Sequence, residues 1–483
     1  MNYSFSIKEF KKNFKVQENN ALDTLRLTHR QNINFKLYPY KTGKKNRDPI
    51  VTELDDVACG FFRKALNINT KSITFDELIN NFTNKNSNNE IYSESLDFSE
   101  LKEDEFDLLK DIIKDIYFNE NEFVANSLAL YPYQTKMNNK SSEALLDFLY
   151  DVLDIDDLDC LEIKKAMEES KSNVLESMLI QAIESMSEAV PSGEKKYFKV
   201  NTKFQKLFKK DLMFMLKADM TSIDDLESLL ELYYFNYVSQ TCIALDGFCN
   251  AKRDNFVPLY FALDWEKVSA NRQCCKEGWS KLQEKIDHMF THAITLEIIN
   301  QQEDSNQMLD YIELNNYIKE HPEADYSIAK EIQLAEETYT SYIGDCKDFD
   351  KIENISKNNS TDYSLQHLFK SVEKQFIASS SRMGPRKYYN EKFSEFCRNR
   401  WVKNRRKSGL VLNLTERDVI FLTKLAIEEN DRIRLLDLFK EFEYRGVYLD
   451  NTSKEYLQDF FTKLNLIDKK SDSGDAQYVK RIL

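Results

Sequence analysis

Glycine and proline are scarce in this chain, ten and seven among 483 residues. That supply is too small for a turn-dense β architecture, and it disfavours glycine-rich phosphate loops as well. The five histidines are scattered, and no Ser/His/Asp or Cys/His set can be assembled from them. Eight cysteines occur without any paired CxxC spacing, which fits a reducing compartment, with the cytoplasm as the expected location. No run approaches about 18 apolar residues, so no membrane span is expected. Met1 to Lys12 lacks the continuous apolar stretch of a secretory signal.

What the chain has in quantity is apolar and charged residues, 42% and 31%, with a formal net charge of −14. The length implies about three domains. Periodicity predicts helices over Asp55–Leu66, Leu101–Tyr117, Glu143–Leu153, Asp159–Met186, Lys206–Lys217, Ser222–Leu245 and Cys275–Asn300. Leu229 to Val238 is apolar on most sides, as in a helix buried in a bundle. Asn34–Tyr40 reads as strand-like or turn-like, Asn80–Asn89 as a surface loop or hinge, and Pro191 with Gly193 as a break. Ser379–Ser381, Gly384 and Pro385 read as a joint. The expected fold is mainly α, a multi-helix bundle body with a C-terminal winged-helix-like module. The expected division is a mixed segment 1–90, a helical body 91–380, a basic connector 381–410 and the module 411–483.

Positive charge is concentrated in the connector. Arg382, Arg386, Lys387, Lys392, Arg398, Arg400, Lys403, Arg405, Arg406 and Lys407 face only Glu391 and Glu395, a local +8 in an acidic chain. Such segregation points to a docking site for double-stranded DNA, with a solvated linker as the plain alternative. Tyr388, Tyr389, Phe393, Phe396 and Trp401 interleave with the cations, which suits either stacking on bases or packing against the bundle.

The module reads as helix, strand, helix, helix, hairpin. Thr415 caps a helix to about Ile427, Ile433–Leu435 is a short strand, and Leu436–Tyr444 is a helix ended by Gly446. Lys454–Leu464 is the third helix, and Leu466–Lys470 with Gln477–Ile482 form a hairpin around Gly474. The outward candidates are Ser453, Lys454, Gln458 and Lys463 on the helix and Lys469, Lys470, Lys480 and Arg481 on the wing. Residues 431–483 nevertheless balance to zero charge, so the module alone is a mediocre DNA binder.

Catalytic patterns are weak. Gly43-Lys44-Lys45 lacks the upstream glycine and the following Ser or Thr of a phosphate loop. His288 and His292 share a helix face, but a structural pair is the simpler reading. Glu162 and Lys164 with Asp154, Asp156 and Asp157 imitate a magnesium nuclease set, yet on a helix these ligands fan around the axis. Cys274 and Cys275 adjoin and could redox-couple, but neighbouring thiols rarely close without strain, so structural cysteines are the simpler reading. In Pro258–Ser269, Asp264 and Glu266 with Arg272 suit a buried ion pair or a partner surface. No cofactor or metal site is expected.

Leu37–Tyr40, Gly60–Arg63, the PLYFALDWEKVS stretch with Asn271-Arg272 and Gly278-Trp279, and the terminal KSDSGDAQYVKRIL carry a likeness. On these residues the chain resembles the G component of bacterial DNA phosphorothioation-dependent restriction systems (the DptG/DndG family). The resemblance implies an anti-phage role beside F and H components, the latter with ATPase or helicase machinery, acting on DNA that lacks backbone sulfur. It supplies no catalytic residues. The expected function is a non-enzymatic DNA-binding and scaffolding subunit. The alternatives are a magnesium-dependent nuclease subunit of the same system or a winged-helix transcription regulator.

Overall fold

The computed structural model describes the chain except residues 1–2, 20, 22, 31, 70–72, 87–101, 135–138, 171–173, 185, 187, 190–195, 254, 304–306, 350–358, 379, 470–476 and 483. It is mainly helical with small sheets. No helix among the described residues is long and apolar enough to cross a membrane. The chain divides into two compact units, one of residues 1–52, 196–204 and 233–483, the other of 53–195 and 205–232.

The second unit is helical. Asp55–Ala65, Glu103–Tyr117 and Lys140–Val152 form where apolar residues recur at helical spacing. The pattern over 159–186 resolves into two helices, Asp157–Glu169 and Val174–Glu184, the first capped by Asp156. The expected loop over 80–89 is instead the end of a helix, Phe75–Asn86, with 87–89 outside the described residues. Its inner face joins a core containing Ile73, Leu78, Ile113, Tyr117, Phe123, Leu179 and Ile183. The break expected at Pro191 and Gly193 also lies outside the described residues.

The first unit is built around a four-stranded sheet that periodicity did not reveal. Tyr260–Leu263 lies between Leu410–Leu414 and Tyr448–Leu449, parallel to both, and Val402–Asn404 pairs antiparallel with the outer side of Leu410–Leu414. The expected long helix over 275–300 is three pieces, Gln273–Lys276, Trp279–Ile286 and Met289–Ile299. Gly278 separates the first two, because a Cβ there would stand 2.4 Å from the Cys274 carbonyl oxygen and 2.6 Å from that of Tyr260. Residues 34–40, read as strand-like or turn-like, are irregular; the buried Glu297 carboxylate accepts from the amides of Ile33, Asn34 and Phe35 at 3.0, 2.9 and 3.3 Å.

The expected joint near 380 is also helical. Ser380–Arg400 runs through Pro385, its sixth residue, which removes one hydrogen bond from the helix ladder. Its inner face carries Tyr389, Phe393, Phe396 and Cys397, all fully buried.

After Leu414 the elements follow the expected order. Thr415 caps the helix Glu416–Ile427 through a reciprocal box with Asp418, Arg432–Arg434 is a strand, and the helices Leu435–Tyr444 and Asn451–Lys463 follow. Ile467–Lys469 and Gln477–Lys480 complete a sheet in which Gln477–Lys480 lies between Ile467–Lys469 and Arg432–Arg434, antiparallel to each. Gly446, at φ +78, closes the middle helix.

Candidate nucleic-acid interface

The cationic run lies on the helix Ser380–Arg400, the strand Val402–Asn404 and the turn Arg406–Ser408. Most of its charge is spent inside the molecule. Arg382 meets Asp345 at 3.5 Å; Arg386 donates to the Asp287 carbonyl at 2.9 Å and lies 3.6 Å from Glu373. Lys392 is buried against Asp48 at 3.1 Å. Arg400 bonds Asp418 and lies over the Trp401 ring, 4.1 Å from its centre. Lys403 bonds Asp264.

Arg405 is the most heavily engaged. It donates to the carbonyls of Leu263, Asp264 and Glu266 at 2.6, 3.2 and 3.3 Å, and to Asn413 Oδ1 at 2.6 Å. Those carbonyls stand at the carboxyl end of the central strand. The remaining cations face outward: Lys387 beside Glu391 at 3.5 Å, Arg398 near Gln283, and Arg406 and Lys407 on the turn.

The interleaved aromatics pack inward. Tyr234 sits 5.5 Å from Phe393 and 4.6 Å from Phe396, and Phe235 sits 5.4 Å from Trp401. Of the five rings only Tyr388 is not buried. This decides between the two uses the sequence left open, in favour of the core.

On the module, the helix Asn451–Lys463 has its amino end set into the body. Ser453 is fully buried, donating to Glu266 at 3.1 Å and accepting from Arg272 at 2.7 Å, and so is not outward-facing as expected. Lys454 pairs with Glu443 at 3.1 Å, and Gln458 is half-buried. The exposed side chains of this helix are Asn451, Thr452, Glu455, Asp459, Thr462 and Lys463, an acidic rather than basic selection. Lys480 is half-buried and Arg481 exposed; Lys469 ends its strand, and Lys470 lies outside the described residues. The sequence reading thus found the basic residues but not their partners, which lie up to 344 positions away.

Asp264, Glu266 and Asp450 meet Arg272, Lys403 and Arg405 at the carboxyl ends of the parallel strands, where α/β sheets commonly hold ligands. Arg272 donates to Asp450 at 3.0 Å and lies 3.1 Å from Glu266. Burial opposes charge on Arg272, but its bonds to Asp450 and the field of Glu266 outweigh it and raise its pKa. Burial raises Glu266, while the hydrogen bond from Lys403 lowers Asp264. Three acids against three bases make a neutral brace, with no surplus charge to bind an ion.

His288 and His292 converge on Asp246, at 2.6 and 3.3 Å, and Lys285 reaches its other oxygen at 2.7 Å. Among the described residues no group of three or more His, Cys, Asp or Glu is arranged to hold a metal ion. In the other unit Asp156 and Asp159 are both bound by Lys209, and Glu162 projects into solvent. Asp157, Cys160, Leu161 and Lys164 line one side of an open cavity of about 560 Å³. Asp156 and Glu162 thus point away from that cavity, while Asp157 and Lys164 share it.

No protein-family model matches the chain, and no curated protein matches it significantly. The restriction-subunit likeness rests on the quoted motifs alone.

Proposed function

We propose that this chain is a non-enzymatic scaffolding subunit of a DNA phosphorothioation-dependent restriction complex, holding F and H components and touching duplex DNA only at its margin. The order helix, strand, helix, helix, hairpin, with the last strand between the other two, supports a winged-helix reading of residues 415–483. The observation that carries the scaffold reading is how that module is seated. Its strand Tyr448–Leu449 completes the body's sheet, and Asp450 and Ser453 bind Arg272, so the third helix is held by protein at the end a groove reader would present to bases. Winged helices serve protein contacts as readily as DNA contacts. DNA contact then falls to Arg398, Arg406, Lys407 and Arg481.

The test is binding of fluorescent duplex DNA by the purified full chain across a salt series. With about two to four phosphates neutralised, log K falls against log salt with a slope of about −2 to −4, and Arg406→Glu/Lys407→Glu removes most of the binding. Co-purification with the F and H components survives that change and nuclease treatment. Binding unaffected by the reversal, loss of partner capture on nuclease treatment, or magnesium-dependent nicking by the pure chain would each overturn the proposal.

A further inference from the structure

We propose that the outward face of the helix Glu103–Tyr117 docks a basic amphipathic helix of a partner protein. This helix is apolar over a wider arc than its own unit covers. Ile113 and Tyr117 point into the core with Phe123 and Leu179. Leu108, Ile112 and Ile116 lie on the adjoining arc, 62%, 39% and 48% exposed. Spaced four apart, they make one ridge about 12 Å long, the i, i+4, i+8 pattern that a partner helix reads. Scattered apolar side chains need no explanation, but three in register on one face do.

Charge selects the occupant. Asp104, Asp111 and Asp115 lie along one flank of the ridge, exposed and without ion pairs among the described residues. The lysines of the helix are engaged elsewhere: Lys110 pairs with Asp107 and lies over Phe106, and Lys114 lies over Phe75. The flank is therefore an unneutralised anionic row beside an apolar one, and it fits lysines or arginines bordering an apolar stripe. The chain's own preceding segment, 87–101, carries Glu90, Glu94, Asp97 and Glu100 with no lysine or arginine, so it would be repelled. A second copy brings the same acidic row, and an anionic membrane is repelled likewise.

The experiment uses the full chain and two labelled amphipathic peptides of about 18 residues with the same leucine face, one flanked by lysine and arginine, the other by glutamate. Fluorescence anisotropy is expected to show the basic peptide binding at least about tenfold tighter, and weakening from about 50 to about 500 mM salt. Asp111→Lys/Asp115→Lys and, separately, Ile112→Ser/Ile116→Ser reduce that binding about tenfold or more. All four positions are at the surface, so helical circular dichroism and Tm stay unchanged; the charge pair tests the proposal independently of the apolar pair. Equal affinity for the two peptides, or no response to the aspartate reversals, overturns it. So does an about tenfold gain on deleting 87–101, which assigns the ridge to that segment. A dimer in sedimentation that Ile112→Ser abolishes assigns it to a second copy and overturns it too.

Discussion

Arg405 donates from Nη2 to the carbonyl oxygen of Leu263 at 2.6 Å, closing the end of the central strand with a side chain from 142 positions downstream. Its neighbour Arg406 is exposed on the turn. The pair separates two roles within one basic run. Arg405→Gln is expected to cost about 3 kcal/mol, because several buried carbonyls lose their donor, whereas Arg406→Gln stays within about 0.5 kcal/mol. Urea unfolding of both variants checks this, and equal costs would refute the distinction.

The same reasoning applies to Arg272, which holds Glu266 and Asp450 together. Arg272→Met leaves two buried carboxylates unpaired and is expected to cost about 3–5 kcal/mol. Asp450 also caps the helix Asn451–Lys463 by accepting from Ser453, so Asp450→Ala should lose a cap of about 1 kcal/mol in addition to the pair. Thermal unfolding gives both numbers. A cost for Arg272→Met below about 1 kcal/mol would place the triad in solvent.

The imidazole of His288 faces Asp246, Glu373, Lys285 and His292. Burial works against its charge, but the bond to Asp246 prevails and raises it above the ordinary 6.5. His292, fully buried, is lowered instead. Asp246 is disfavoured by burial yet held well below the usual carboxylate range by the two histidines. The stabilisation from His288 is therefore complete below pH 6.5 and disappears as pH rises through its raised value. That from Asp246 is complete above the ordinary 3.8 and disappears only as pH falls through its lowered value. Asp246→Asn should bring the His288 titration back down in an NMR series and cost about 2–4 kcal/mol near pH 6.

His29 has the opposite sign. Half-buried against Tyr339, whose hydroxyl is 2.8 Å away, it is pushed down to about 3 by desolvation and by the positive charge of Arg382. The unfolded chain takes up this proton first, so stability is lost as pH falls from about 6.5 toward 3, by about 3 kcal/mol at pH 4. His29→Gln flattens that part of the pH profile even if it lowers stability overall. An unchanged acid slope would show that His29 is reached by water.

Much of the C-terminal module was legible because its signals are local. Thr415 with Asp418, the alternation around Ile433 and the stop at Gly446 each act within a few residues. The sheet was not legible, since Tyr448–Leu449 is two residues long and Tyr260–Leu263 four, too short for periodicity to declare. Of the ion pairs, Glu266 with Arg272 was legible because only six positions separate them, whereas Asp264 was grouped with Arg272 and its partner Lys403 lies 139 positions away. Charge counted along a chain measures concentration in sequence, and pairing in space cancelled most of it.

The strand Tyr448–Leu449 lies against one delivered almost 190 residues earlier. A ribosome must therefore deliver almost 190 further residues before Tyr260–Leu263 can acquire its second parallel neighbour. Until then that strand keeps an open edge, so a truncation before Tyr448 is expected to expose it to edge-to-edge association.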